Sequence, residues 1–188
     1  NDKRVEYLLS RCRRTLKKSA ETIRKSLAAG GYTSVCYEKD FEVTVNWRDD
    51  SIILAGKIDR IDVIESIARN RLGIRIIDYK SGHKKFNSAA IAGKIDMQLV
   101  LYAIAAVKLA KKGGIDKADT SLSPQVSAIM YNRINDDIIS EPLSDPDKAK
   151  SEIRKQKKLD GLIILDENDT CDELTPDNPV LTEMDSGI

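Results

Sequence analysis

The 188-residue sequence predicts one α/β domain with a mixed β-sheet flanked by helices. Three observations support this class. A long amphipathic helical pattern opens the chain, three strand-like segments follow it, and an apolar helical pattern then separates them from a further strand. The length suffices for one domain with a substantial core, but not for two of ordinary size. Apolar residues make up 41% and charged residues 32%, which is typical of a folded globular chain.

The predicted elements follow from residue spacing and turn chemistry. Apolar residues at three- and four-residue steps predict helices, and alternating or β-rich segments bounded by polar turns predict strands. The strands are expected at residues 35–47, 51–64, 74–80, 126–131 and 161–165. The helices are expected at residues 3–28, from about 89 or 94 to 112, and at 146–159. Glycine pairs directly after the first two helices provide their stop signals.

We expect residues 1–188 to be a single domain and a fragment of a larger chain, because the sequence begins abruptly within a helical pattern. Its core is expected at about 30–165, and the acidic stretch at about 166–188 is expected to be a loose tail. No segment approaches the ~20 consecutive apolar residues that a membrane span requires, so no membrane association is expected.

Cysteine spacing and charge limit the possible environments and partners. Three distant cysteines (Cys12, Cys36 and Cys171) argue for a reducing cytoplasm and against a disulfide framework or a self-contained zinc site. The first 30 residues carry nine basic and three acidic side chains, although the net charge is only +1. This basic surface is compatible with a polyanionic partner, but a solvated helix face explains it more simply.

Two opposite charges end an otherwise apolar strand in the segment IRIIDYKSG at residues 74–82. Asp78 and Lys80 have equal parity in the strand, so both lie on the face that carries Ile74 and Ile76. Burial of an unpaired carboxylate is costly, so both charged groups need partners.

The preceding strand, which contains GKIDRID, offers two candidate partners, Asp59 and Asp62. They differ in parity, so only one can reach the face of Asp78 and Lys80. We choose Asp59, which lies in the middle of its strand. Asp62 lies closer to a turn, where we expect its carboxylate to be exposed.

Two carboxylates on adjacent strands, with a lysine beside them, suit a metal-dependent hydrolytic site. Mg²⁺ prefers oxygen ligands and commonly takes one or two carboxylates with water and phosphate oxygens. The Lys80 ammonium could hold the attacking water and offset charge at phosphorus. A structural ion pair without metal is the alternative, and the DxK spacing alone leaves it open.

The next helix contributes Gln98 and Tyr102, which are four residues apart and therefore project from one side. A glutamine at the edge of a buried stripe needs a hydrogen-bond partner. An active-site carboxylate, a water molecule or a DNA phosphate would serve.

The segments GKIDRID, RIIDYKSG and QLVLYAIA together resemble the RecB-type nuclease branch of the PD-(D/E)xK superfamily. Within that branch they are most similar to the C-terminal nuclease domains of the AddB family, the B subunits of AddAB helicase–nucleases. The later stretch KKLDGLIILDENDTCDEL adds to this similarity, and the motifs span about residues 55–170. The resemblance implies a restriction-endonuclease-like core.

The resemblance also implies roles for individual residues. By motif, the catalytic residues would be Lys80, Asp59, Asp78, Gln98 and Tyr102. The ligands of the catalytic Mg²⁺ (or Mn²⁺) would be two carboxylates and one backbone carbonyl, those of Asp59, Asp78 and Tyr79. Outside these motifs, Lys84, Lys85 and Phe86 could grip a phosphate and stack on a base, although a plain exposed loop explains them equally well.

The implied reaction is exonucleolytic hydrolysis of DNA phosphodiester bonds, leaving 5′-phosphate and 3′-hydroxyl ends. The implied substrate is a single-stranded DNA end fed from a helicase subunit of the AddA type, during recombinational repair of double-strand breaks. Two alternatives stay open: a nuclease-like module that binds DNA or a partner without cutting, and a stand-alone RecB-like exonuclease. The chain lacks a GxxxxGK[ST] segment, so we do not expect it to hydrolyse ATP.

Two departures from the family pattern are visible. RecB-type nucleases usually add a histidine upstream of the first strands, whereas the one histidine here, His83, follows the DYKSG segment. Glu38 could partly replace that ligand, but a solvated glutamate at the strand edge explains it more simply. AddB proteins carry an iron–sulfur cluster, and none of the three cysteines here fits its pattern. We expect any such cluster to lie in the full-length protein without ligands from this stretch.

Overall fold

The computed structural model of the chain describes residues 2–48, 50–81, 86–92, 97–134 and 159–164. The helices within these ranges are α1 (Asp2–Gly30), α2 (Ser88–Ala92) and α3 (Gln98–Lys111). The strands are β1 (Thr33–Trp47), β2 (Asp50–Ser66), β3 (Arg71–Lys80), β4 (Ser123–Arg133) and β5 (Asp160–Ile163). A 3₁₀ turn at Ile67–Arg69 joins β2 to β3.

The five strands form one mixed sheet whose spatial order equals the chain order, β1-β2-β3-β4-β5. The pairs β1–β2 and β2–β3 are antiparallel, β3–β4 is parallel, and β4–β5 is antiparallel again. A parallel pair needs a crossover connection, and α3 lies within the segment that provides it. The mixed sheet with helices confirms the predicted α/β class.

Several boundaries differ from the sequence-based expectation. β3 begins at Arg71 and not at residue 74, and β4 continues to Arg133, two residues beyond its predicted end. The helix expected from residue 89 or 94 is divided: α2 ends at Ala92 and α3 begins at Gln98. Apolar residues continue through both helices, so their spacing could not separate them. The predicted helix at 146–159 lies, except for Leu159, outside the described residues, as does the tail at 166–188.

The core forms where α3 packs on one face of the sheet. The buried residues of α3 are mostly small: Leu99, Ala103, Ala105, Ala106 and Ala110. They belong to the same buried cluster as the β2 and β3 residues Ile61, Val63, Ile74 and Ile76. Short side chains let the helix approach the strands closely, and this brings the first turn of α3 near the end of β3.

A Schellman motif ends α3, as the glycine pair predicted. Gly113 adopts the left-handed conformation at φ +69°. The Gly113 N–H donates to the carbonyl of Ala110 at 3.0 Å, and the Gly114 N–H donates to that of Leu109 at 2.8 Å.

The β1–β2 hairpin curls over α3 after an irregularity at Glu38. Glu38 has φ +48°, and the buried positions of β1 change parity across it, from Cys36 to Phe41, although the β1–β2 register is continuous there. The Phe41 ring meets the Tyr102 ring edge to face, with 5.9 Å between centroids. The hairpin thus holds one side of α3 in place.

The N-terminal half of α1 leaves its apolar stripe uncovered. Val5, Leu8 and Leu16 are 54%, 47% and 63% exposed, whereas Ser26 near the other end is buried. Among its described side chains, the buried position of α1 thus lies near the C-terminal end, and none of them belongs to the buried cluster that α3 forms with the sheet. No helix in the described ranges is long and apolar enough to cross a membrane.

A buried ionic cluster occupies the sheet face opposite the Asp78 and Lys80 side chains. The Asp62 carboxylate accepts hydrogen bonds from Arg60 Nε at 2.7 Å and Nη2 at 2.8 Å. It also accepts from Arg75 Nε at 3.0 Å and Nη2 at 2.7 Å, and from Ser34 Oγ at 2.5 Å. Asp62 is 0% exposed, so the expectation of an exposed carboxylate was wrong. Its nearness to a turn was outweighed by two arginines that share its face.

The two arginines respond differently to burial. Burial alone would lower the pKa of Arg60, but the hydrogen bonds and the attraction of Asp62 outweigh it, so the pKa of Arg60 is raised. Burial prevails at Arg75, whose pKa is lowered despite the same carboxylate. The Arg75 guanidinium also stacks 3.9 Å from the centre of the Tyr32 ring. Both arginines depend on one carboxylate for charge compensation.

Replacement of Asp62 by alanine should destabilise the fold strongly, because two buried guanidinium groups would lose their shared partner. We expect the free energy of unfolding to fall by about 3–5 kcal/mol, measured by urea denaturation. The control is Asp40→Ala. The Asp40 carboxylate is exposed, and its ion pair with Lys57, at 3.8 Å, contributes little to stability, so this variant should have the wild-type urea midpoint. Equal midpoints for both variants would contradict the structural role of the cluster.

Candidate active site

The carboxyl end of β3 carries a close ion pair between Asp78 and Lys80. Lys80 Nζ lies 2.5 Å from Asp78 Oδ2, and the Lys80 side chain is 21% exposed whereas that of Asp78 is almost fully buried. The ammonium therefore compensates the buried carboxylate while part of its side chain reaches solvent. Both residues have the parity of the buried Ile74 and Ile76, in agreement with the predicted face.

Gln98, the first residue of α3, connects this pair to the helix. Its Nε2 donates to Asp78 Oδ1 at 3.1 Å and to the Tyr102 hydroxyl at 2.9 Å. Its Oε1 accepts from Lys80 Nζ at 3.0 Å. Because the amide nitrogen faces two acceptors and the oxygen faces an ammonium, every contact is chemically matched. The structure thus brings four sequence-predicted residues into one hydrogen-bonded network.

Asp59 approaches the same point from β2. Arg60 pairs with Ile77 in the β2–β3 ladder, so Asp59 and Asp78 are the next residues of the two strands. Asp59 Oδ2 accepts a hydrogen bond of 2.7 Å from the backbone N–H of Tyr79. The N–H and C=O of one strand residue point to the same side, so the Tyr79 carbonyl is directed toward the strand of Asp59. The Tyr79 hydroxyl lies on the other face, 3.4 Å from Arg60 Nη1.

These groups fit a hard divalent cation. The donor set would comprise the carboxylates of Asp59 and Asp78 and the carbonyl of Tyr79, all oxygen atoms as Mg²⁺ prefers. The described residues contain no cluster of three or more His, Cys, Asp or Glu side chains. Mg²⁺ keeps several waters in protein sites and often uses only one or two carboxylates.

Glu38 and the cysteines lie apart from this donor set. The Glu38 side chain is 66% exposed and lies 3.9 Å from Lys57 Nζ, as a solvated edge glutamate would. Cys12 is exposed on α1 and Cys36 is buried in the core. Cys171 and His83 lie outside the described residues.

Phe86, in the segment after β3, is hydrogen-bonded to β5, the edge strand of the described sheet. The Phe86 N–H donates to Asp160 Oδ2 at 2.8 Å, and the Phe86 ring lies 6.4 Å from that of Tyr131. The Tyr131 ring is in turn 5.3 Å from Lys80 Nζ. Phe86 is half-buried and packs against the core. Lys84 and Lys85, predicted to contact DNA, lie outside the described residues.

Sequence reasoning did not single out Asp160 or Tyr131. Both become neighbours of the site through strand pairing, since Tyr131 pairs with Asp78 in β3 and with Asp160 in β5. The order of strands in a sheet is not encoded in local periodicity, so only a correct topology could have found them.

Comparison with known protein families gives a match that covers most of the chain. The family model described as the PD-(D/E)XK nuclease superfamily matches residues 1–176. The chain belongs to the PD-(D/E)XK nuclease superfamily. Its mixed five-stranded sheet with flanking helices agrees with the restriction-endonuclease-like fold expected of this superfamily.

Several relatives share one description, the B subunit of an ATP-dependent helicase/deoxyribonuclease. The protein of Clostridium acetobutylicum is 34% identical over 173 residues, which cover 87% of this chain and 14% of the relative. That of Clostridium botulinum strain Loch Maree is 28% identical, covering 100% of this chain and 17% of the relative. The protein of Thermoanaerobacter strain X514 is 30% identical, and the match covers 98% of this chain and 15% of the relative. The chain therefore spans only a small part of the curated relatives that it matches.

The donor set leads to a prediction that does not depend on activity. Asp59→Asn and Asp78→Asn should each weaken Mn²⁺ binding by at least about tenfold, because even partners outside the ligand shell contribute about 10–100-fold. Electron paramagnetic resonance of free Mn²⁺ measures this directly. Asp40→Asn, on the exposed part of β1, is the matched control and should bind as the wild type does. Unchanged affinity in both site variants would exclude this donor set.

Proposed function

We propose that this chain is a metal-dependent DNA nuclease domain that hydrolyses phosphodiester bonds with Mg²⁺ (or Mn²⁺). The observation that carries the proposal is the network at the end of β3, where Asp78, Lys80 and Gln98 contact one another beside Asp59. A chain of the nuclease superfamily with two carboxylates, a lysine and a positioned amide at one point has the groups that such hydrolysis requires.

Asp59, Asp78 and the Tyr79 carbonyl would hold the cation. When bound there, it would polarise a phosphoryl oxygen and lower the pKa of a coordinated water molecule. The protein would fix the position of that charge through the Tyr79 N–H, which holds the Asp59 carboxylate, and through Gln98 Nε2, which holds that of Asp78.

Lys80 would act on the reacting phosphate. Its ammonium contacts the buried Asp78 carboxylate, the Lys80 side chain is partly exposed, and the ammonium would offset the negative charge that develops at phosphorus. Gln98 Oε1 directs this ammonium, and the Tyr102 hydroxyl keeps the Gln98 amide in the required orientation. Gln98 contacts Lys80 and Asp78 directly, and Tyr102 reaches them only through Gln98, so both are positioning residues.

The names of the relatives support a role inside a helicase–nuclease. We propose that the domain degrades single-stranded DNA ends as an exonuclease, leaving 5′-phosphate and 3′-hydroxyl products. Its partner would be a helicase subunit of the AddA type, and the assembly would process double-strand breaks for recombinational repair.

Lys80→Ala should abolish most of the cleavage of labelled single-stranded DNA in Mg²⁺. We expect kcat to fall by about 10²–10³-fold, the usual cost of removing one group that stabilises developing charge. Lys112→Ala, at the exposed end of α3, is the control and should cleave normally.

The same assay distinguishes the alternatives. If the wild-type chain binds the DNA but neither it nor the full-length protein cuts in Mg²⁺, the domain is a binding module and the proposal fails. If the full-length protein cuts equally well with and without its helicase partner, the stand-alone exonuclease replaces the helicase–nuclease role.

Gln98→Leu should lower kcat more than Tyr102→Phe does. Gln98 contacts both Asp78 and Lys80, whereas Tyr102 reaches the pair only through Gln98. We expect losses of about 10–100-fold and less than about tenfold, in line with the effects of outer-shell partners. Single-turnover cleavage measures both. Equal losses, or a larger loss for Tyr102→Phe, would contradict the order of contacts.

A further inference from the structure

Arg133 lies beside Lys80 at the end of the sheet, although nothing in the sequence motifs marks it. It is the last residue of β4, and the parallel β3–β4 register pairs it directly with Lys80. Paired residues on neighbouring strands are only about 5 Å apart at the backbone.

The Arg133 side chain belongs to the face of the candidate site. Tyr131, two residues earlier, shows the direction of this face because its ring lies 5.3 Å from Lys80 Nζ. Residues of equal parity in a strand share a face, so Arg133 is on the side of Lys80 and Asp78.

Among the described residues, the charge of Arg133 has no protein partner. Its Nε is enclosed, and no acceptor in this part of the chain is within hydrogen-bond reach of that atom. Within the ranges that the structure describes, no carboxylate lies within ion-pair distance of the Arg133 guanidinium, and Asp78 already contacts Lys80. An enclosed donor without an acceptor is unfavourable, and like charges on paired strand positions repel each other. An anion between Lys80 and Arg133 would accept a hydrogen bond from the enclosed donor and reduce the repulsion between the two positive charges.

We propose that Arg133 binds a backbone phosphate of the DNA strand, next to the phosphate held at Lys80. The inference rests on the proposed function, because it takes DNA as the anion. A guanidinium offers a planar pair of donors that matches two phosphate oxygens, which a lysine cannot do. The successive phosphates of one strand provide the row of anions that two adjacent cations require. Arg133 is therefore a substrate-binding residue beside Lys80.

The test is the salt dependence of DNA binding, which responds to each lost phosphate contact. The parent protein carries Lys80→Ala so that DNA stays intact in Mg²⁺, and the probe is a fluorescent oligo-dT strand. When Arg133→Gln is introduced into this parent, Kd for the oligonucleotide should rise severalfold. The slope of log K against log salt concentration should decrease in magnitude by about 0.7, the value for one phosphate contact on single-stranded DNA. Arg133→Lys should leave the slope unchanged and still raise Kd, because lysine retains the positive charge but lacks the planar pair of N–H donors.

Arg69→Gln, in the turn at the opposite end of β3, is the matched control and should leave slope and Kd unchanged. A purely structural role of Arg133 would alter stability without changing the slope. If Arg133→Gln does not fold, Arg133→Lys decides, since an unchanged Kd in that variant overturns the inference.

Failure of this inference is separable from failure of the proposed function. If Lys80→Ala abolishes cleavage but the Arg133 variants bind DNA like the parent, only the assignment of Arg133 is wrong. If the wild-type chain and the full-length protein do not cleave DNA, the nuclease proposal fails whatever the slopes show.

Discussion

The Asp62 carboxylate joins β2 to β3 through two buried arginines, and the geometry of the candidate site depends on this junction. Asp62 binds Arg60 on its own strand and Arg75 on the next one. Arg60 also reaches the Tyr79 hydroxyl, so the residue whose N–H holds Asp59 is fixed from the opposite side of the sheet. Because each guanidinium would be an uncompensated buried charge without Asp62, the strands cannot slide without losing several strong hydrogen bonds at once.

The sheet thus separates two electrostatic tasks. One face holds the Asp62 cluster, which is enclosed and fully bonded and makes the strands rigid. The other holds Asp78, Lys80 and Gln98 at its open end, where a side chain can meet a ligand. Small residues of α3 allow the close packing that delivers Gln98, and the curled β1–β2 hairpin supports Tyr102 through Phe41. The Gln98 amide is held in one orientation because its nitrogen and its oxygen both have matched partners.

The sequence was most informative where the spacing of residues along a helix or strand and the chemistry of their side chains indicate the same arrangement. Parity placed Asp78 and Lys80 on one face, the four-residue step joined Gln98 to Tyr102, and the glycine pair marked the end of α3. Parity could not show that Asp62 would be buried, because its burial depends on two arginines that meet only when β2 and β3 pair. Arg133 was missed because the predicted β4 ended at residue 131, two residues before the pairing with Lys80. Asp160 depended on strand order, which local patterns do not contain.

The hydrogen bond from Phe86 to Asp160 has a consequence for the timing of assembly. It joins residues 74 positions apart, through the last strand of the described sheet. Contacts between distant segments form late, because chain entropy opposes closure of a long loop until other structure brings the ends together. During synthesis from the N-terminus, the residues of β2, β3 and α3 leave the ribosome well before Asp160 does. The surroundings of Lys80 are therefore completed only when β5 has emerged, so a chain that stops before β5 carries an incomplete centre.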